Sequence, residues 1–135
     1  GDCFGPLVGY KLKNFFRGNN NIEIFGDIQN VLCFQNIYDI QEKLQKENSF
    51  VIAIDAALSS KNNIGKILVS KEKLAIGNSL NKKNICLGDI SIKGIVAKDL
   101  KKPIHNFRIL QNTSLGLVMD MADCVSQGIS NVLNV

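Results

Sequence analysis

The chain has 135 residues, 45% of them hydrophobic, which is enough for one packed core and predicts a single domain over residues 1–135. Its 16 Lys and Arg against 12 Asp and Glu leave a formal net charge of +4, too mild and too scattered to indicate nucleic acid as a direct partner. With no apolar run of about 18 residues and no charged-then-apolar leader, a membrane partner is not expected and a cytoplasmic location is.

Taken in chain order, Pro6 stands where a first-turn proline is tolerated. Leu7, Val8, Leu12, Phe15 and Phe16 follow at helical spacing until Gly18, so the segment predicts a helix. IEIFG, Ile22 to Gly26, predicts a short strand. Ile37, Ile40 and Leu44, separated by polar residues, predict a second, amphipathic helix. The unbroken apolar run Phe50 to Ile54 has the composition of a strand covered on both faces, and it predicts a central parallel strand ending at Asp55. Strands are also expected at Ile64 to Ser70, Lys73 to Gly77 and Gly88 to Val96. Lys98 to Lys102 has no aromatic residue on which a base could stack and predicts a solvated loop, with His105 in the loop that follows. A long closing helix is predicted from the stripe Leu115, Val118, Ala122, Val125, Ile129 and Val132, capped by Asn112 or Thr113. Helices and strands alternate in the first half, so the expected class is α/β, a mostly parallel sheet with helices on both faces.

Ligands of such sheets bind beyond the carboxyl ends of the strands. Asp55, following its strand, and Asp2, entering the first helix, are expected on that one rim. Two carboxylates brought together cannot both ionise cheaply, so one holds a proton. The ionised partner can then activate a water while the protonated one polarises a carbonyl or protonates a leaving group. The same oxygens can instead hold a divalent cation, and each Asp can equally be a helix cap or turn former. Asp89 beside Gly88 is a third candidate, with a turn role as its ordinary explanation. His105, the one histidine, has no acidic or cysteine neighbour that would make it a ligand. Cys3, Cys33, Cys86 and Cys124 form no CxxC pair and are expected to be reduced, mostly buried thiols. No GxSxG, GxGxxG or phosphate-loop motif is present, so neither a serine nucleophile nor a nucleotide cofactor is expected.

Four blocks in order, DCFGPLVG (Asp2 to Gly9), VIAIDAAL (Val51 to Leu58), GDISIKGIV (Gly88 to Val96) and LQNTSLGLVMDMA (Leu110 to Ala122), resemble the YyaC-type sporulation proteins. That family is similar to the germination protease of spores and, more distantly, to the hydrogenase-maturation endopeptidases. The resemblance implies a three-layer α/β sandwich of the maturation-protease type and a peptidase whose catalytic pair falls on Asp2 and Asp55. It further implies a protein or peptide substrate, among which small spore proteins are candidates, and a place in the sporulating cell or spore. IGNSLNKK, Ile76 to Lys83, looks like a worn form of a glycine-rich loop of the germination protease, which leaves Gly77 and Asn78 without an assigned role. The maturation endopeptidases hold a metal between two acidic residues and a histidine; Asp2 and Asp55 fit the first two positions, but His105 lies in no matching block, so no metal and no other cofactor is carried over. A strand upstream of Gly1, leading into the loop that bears Asp2, is also implied. Two further readings stay open, a non-catalytic relative that binds a protein partner and a metal-dependent processing enzyme.

Overall fold

The computed structural model describes residues 1–33, 35–76 and 85–133. It is a mixed α/β fold. The first helix, α1, spans Phe4–Phe15 and buries Phe4, Val8 and Leu12, the three- and four-residue spacing that keeps one stripe against the core. No strand forms at Ile22 to Gly26, although Ile22 and Ile24 pack against the core. The segment has no neighbouring strand to take up its backbone groups, and a turn at Asp27 ends it instead.

That turn is held closely. The Asp27 Oδ1 accepts the N–H groups of Gln29 (2.8 Å) and Asn30 (2.7 Å), and its Oδ2 accepts from the Lys13 ammonium on α1. These bonds, the one to Lys13 foremost, lower the Asp27 pKa from 3.8 to about 2. A depressed carboxylate contributes stability that is present above the unfolded value and lost as pH falls through the folded one. Acid unfolding is therefore expected to draw on this group between about pH 4 and pH 2. An Asp27→Asn variant should be less stable at pH 6 and show a flatter stability profile across that window, as read by urea midpoints at successive pH values.

The second helix, α2 (Ile37–Glu47), buries only Ile37 and ends on Asn48 in the left-handed region at φ 52°. Five strands follow. β1 spans Ile52–Ser59, β2 Ile67–Ser70, β3 Leu74–Ile76, β4 Ile85–Leu87 and β5 Ile90–Lys98. β5 is the middle strand of a three-stranded sheet, parallel to β1 and antiparallel to β2, while β3 and β4 form a separate antiparallel pair. The mostly parallel sheet expected from the sequence is thus, among the described residues, a mixed one, and β1 lies at its edge rather than its centre. β2 reverses direction because Gly65, at φ 90°, turns the chain and donates its N–H to Ile95 O.

After β5 the chain enters α3 (Pro103–Gln111), which the sequence reading missed; Pro103 is the start signal, and His105 lies on this helix rather than in a loop. The closing helix, α4, spans Leu115–Leu133. Its first turn is capped by Ser114, whose Oγ accepts the Leu117 N–H at 3.4 Å, not by Asn112 or Thr113, which bond back to carbonyls of α3. α1 and α4 pack together on one face of the sheet, where Phe4, Val8 and Leu12 meet Val118, Met121, Ala122 and Val125 over Ile92 and Val96. Gly94 makes this packing possible, since a Cβ there would stand 2.7 Å from the Phe4 ring. Gly128, in contrast, faces open space within α4. Replacing it with alanine is expected to stabilise the fold by roughly 0.5–1 kcal/mol, measured by urea unfolding, because helical glycine loses more backbone freedom than alanine.

Only Cys3 is half-buried; Cys33, Cys86 and Cys124 are exposed, against the expectation of buried thiols. Cys86 and Cys124 stand on the exposed sides of β4 and α4, and Cys33 lies in the loop ahead of α2. Among the described residues no helix is long and apolar enough to cross a membrane. Most of the loop from Ile76 to Lys83, including Gly77 and Asn78, lies outside the described residues.

Candidate functional site

β1 alternates as a strand must. Ile52, Ile54, Ala56 and Leu58 turn toward the α1 and α4 core, so Asp55 projects to the opposite face, where its side chain is exposed. Asp55 does not end its strand, as the apolar run predicted. Ala56, Ala57 and Leu58 continue the pairing with β5 to Ser59, which places Asp55 inside β1 and away from the carboxyl rim.

Asp2 lies in the turn ahead of Cys3, the residue that precedes α1, and is exposed. The turn is held on both sides. The Gly1 nitrogen donates to Leu110 O of α3 (2.6 Å), and the Phe4 N–H donates to Gly1 O (3.1 Å). α1 then starts directly over β1, since a Cβ on Gly5 would stand 3.3 Å from the carbonyl oxygen of Ile54. The first turn of the helix therefore rests on the residue before Asp55, and Asp2 is within electrostatic reach of it.

The electrostatics of Asp55 record that approach. Its pKa is raised above 3.8, first by burial and further by the Asp2 charge; the Ala56 N–H, which donates to Oδ1 at 2.9 Å, and the Lys93 ammonium act the other way. Part of the side chain meets solvent even though burial is the largest cause. The sign of the Asp2 contribution does not depend on that burial, because a like charge nearby always favours the protonated form.

Lys93 is the member of this group that the sequence reading passed over. It stands opposite Asp55 in the parallel β1–β5 register, and neighbours in register share a face. A lysine breaking the apolar run ISIKGIV was the available signal. Two residues beyond Asp55 the register shifts, with Ala57 opposite Ile95 and Leu58 opposite Ala97, so Val96 is an extra residue in β5. Such bulges re-aim side chains and recur beside active sites.

The other candidates lie elsewhere. Asp89 is a turn residue: its Oδ2 accepts the Val51 N–H at 2.8 Å and its own N–H donates to Val51 O at 2.7 Å, tying the start of β1 to that of β5. His105 is exposed on α3. Among the described residues no three His, Cys, Asp or Glu side chains converge to hold a metal ion, and two carboxylates alone do not make a transition-metal donor set. Two shallow surface depressions, one along Asp39 to Glu47 of α2 and one beside Tyr10 and Phe15 of α1, include neither Asp2 nor Asp55.

Residues 1–128 match a family model described as "Protein of unknown function (DUF1256)". The chain is 33% identical over 132 residues to a Bacillus subtilis (strain 168) protein named "Uncharacterized protein YyaC", an alignment that covers 96% of this chain and 62% of that relative. The chain thus spans less than two thirds of the length of this curated relative. No solved structure matches it. With nearly its whole length matched, the chain belongs to the DUF1256 family, of the YyaC type.

Proposed function

We propose that the protein is a sporulation-associated peptidase that hydrolyses peptide bonds with Asp2 and Asp55, without a metal or other cofactor. The observation that carries this reading is the start of α1, directly behind Asp2, over the residue that precedes Asp55; the raised Asp55 pKa, owed first to burial and also to the Asp2 charge, supports it. Asp55, the one with the raised pKa, is the proton holder: it donates to the scissile carbonyl oxygen and regains a proton from the gem-diol hydroxyl as the C–N bond breaks, while the departing amine takes the proton that Asp2 has drawn from the water. Asp2, open to solvent, is the ionised partner that takes a proton from the attacking water. The resemblance to the germination protease suggests extended small spore proteins as substrates and the cytoplasm of the sporulating cell or spore as the place. For the whole protein it also suggests the three-layer sandwich with a mostly parallel sheet.

A second reading, a non-catalytic relative that binds a protein partner, is favoured by the stretch Ile76 to Lys83, which keeps a glycine and lysines but lacks the proline and later glycines of the germination protease's loop. Incubating the protein and its Asp2→Asn variant with acid-soluble spore proteins separates the two. New peptide ends that appear with the protein and not with the variant support hydrolysis. Retention of intact spore proteins by both, with no new ends, supports binding.

A further inference from the structure

We propose that Lys93 is the third charged member of the Asp2–Asp55 site, a positioning residue whose ammonium, set on the neighbouring strand in register with Asp55, fixes the charge state of the carboxylate pair. The inference rests on the paired-carboxylate reading and deepens it.

The placement is specific. On β5 the residues that share Lys93's face are Ser91 and Ile95, both 2% exposed, and on β1 the residue below Asp55 on that face is Ala53, also buried. Between these closed positions Asp55 and Lys93 are both exposed, side by side, an acid and a base open together on one face, with the exposed Leu68 of β2 on the far side of Lys93. The bulge at Val96 begins just beyond this pair and leaves the register intact from Ala53↔Ser91 to Ala57↔Ile95. Among the described residues Lys93 is in no ion pair, and the acid that stands opposite it in the register is Asp55.

The charged groups that act on Asp55 are Asp2, ahead of α1, and Lys93, on β5, and they act with opposite sign. Asp2 and Asp55 with one proton between them carry a single negative charge, which the Lys93 ammonium balances. Without it Asp55 would hold its proton to higher pH, and the singly protonated pair would persist further into the alkaline range.

The test is the titration of the Asp55 carboxyl carbon, followed by NMR in the full chain, for the protein and for its Lys93→Met and Lys93→Arg variants. Methionine keeps the stem and removes the charge; arginine keeps the charge. The inference expects the Asp55 midpoint to move upward in Lys93→Met and to return in Lys93→Arg, with the alkaline limb of any cleavage profile moving in step. An Asp55 midpoint that is the same in all three proteins overturns it. Should Lys93→Met fail to fold, Lys93→Gln gives the same comparison. Failure here is distinct from failure of the peptidase reading: midpoints that move while no cleavage is detected would uphold Lys93 and remove the hydrolysis, and cleavage that survives Lys93→Met with an unmoved midpoint would do the reverse.

Discussion

An Asp55→Asn variant is expected to lose cleavage by roughly 10²–10⁴-fold, the usual contribution of a positioned acid or base, while folding more stably than the parent at neutral pH. The two effects have one cause. Burial and the Asp2 charge raise the folded-state pKa of Asp55, so its ionised form is held at a cost that an amide does not incur. For a carboxyl with a raised pKa, the favourable contribution is fully present below the unfolded value near 3.8 and is lost as pH rises through the folded value. The amide therefore gains over the acid at pH 7, and the two proteins converge below about pH 3.8. Because the side chain is partly open to solvent, the gain is discounted to roughly 1–3 °C in Tm. Asn also keeps an oxygen for the Ala56 N–H, so the backbone contact at 2.9 Å survives. Thermal melts at pH 7 and pH 3 check the stability half; a variant less stable than the parent at both would show that Asp55 braces the strand and does little else.

Gly9→Ala is expected to be the most destabilising single methyl in the chain. Gly9 lies buried on α1 where the loop at Gly26 crosses it, and an added Cβ would stand 1.9 Å from the carbonyl oxygen of Gly26. That contact is backbone against backbone, so no side-chain rotation relieves it. Either the loop lifts off the helix, opening the Asp27 turn and its bond to Lys13, or α1 shifts and disturbs Phe4 and Val8. Overpacking of this kind costs about 3 kcal/mol or more, against the small gain that alanine brings to an unobstructed helix. Urea unfolding of Gly9→Ala beside Gly128→Ala makes the comparison internal: the same substitution in two helices is expected to act with opposite sign. Equal midpoints would mean that the close approach of the loop to α1 is wrong.

The helices were legible where an apolar stripe has one face to bury, as in α1, α2 and α4. α3 was missed because it buries none of its residues fully and so shows no core-facing stripe, and only Pro103 marked it. The strands were legible as apolar runs, but their order was not. Nothing local in Phe50 to Ile54 distinguishes an edge strand from a central one, and Phe50 itself proves to be 69% exposed. The run also ended too early, because alanines carry little strand signal by themselves and join β1 only through their pairing with β5. The strand expected at Ile22 to Gly26 had the right residues without a neighbour to bond. β4 is three residues long, too short to stand out.

At the site, Asp2 and Asp55 were expected together on the carboxyl rim of the sheet, but Asp55 lies inside β1, because the strand continues to Ser59. Lys93 was hidden for a different reason. Its meaning depends on the register between two strands, and register is a property of the pair.

The central claim is that Asp2 and Asp55 form one ionising unit. The most direct measurement is the midpoint of the Asp55 carboxyl titration in the protein and in Asp2→Asn. The account predicts a lower Asp55 midpoint once the Asp2 charge is removed; an Asp55 that titrates identically in both proteins would contradict it.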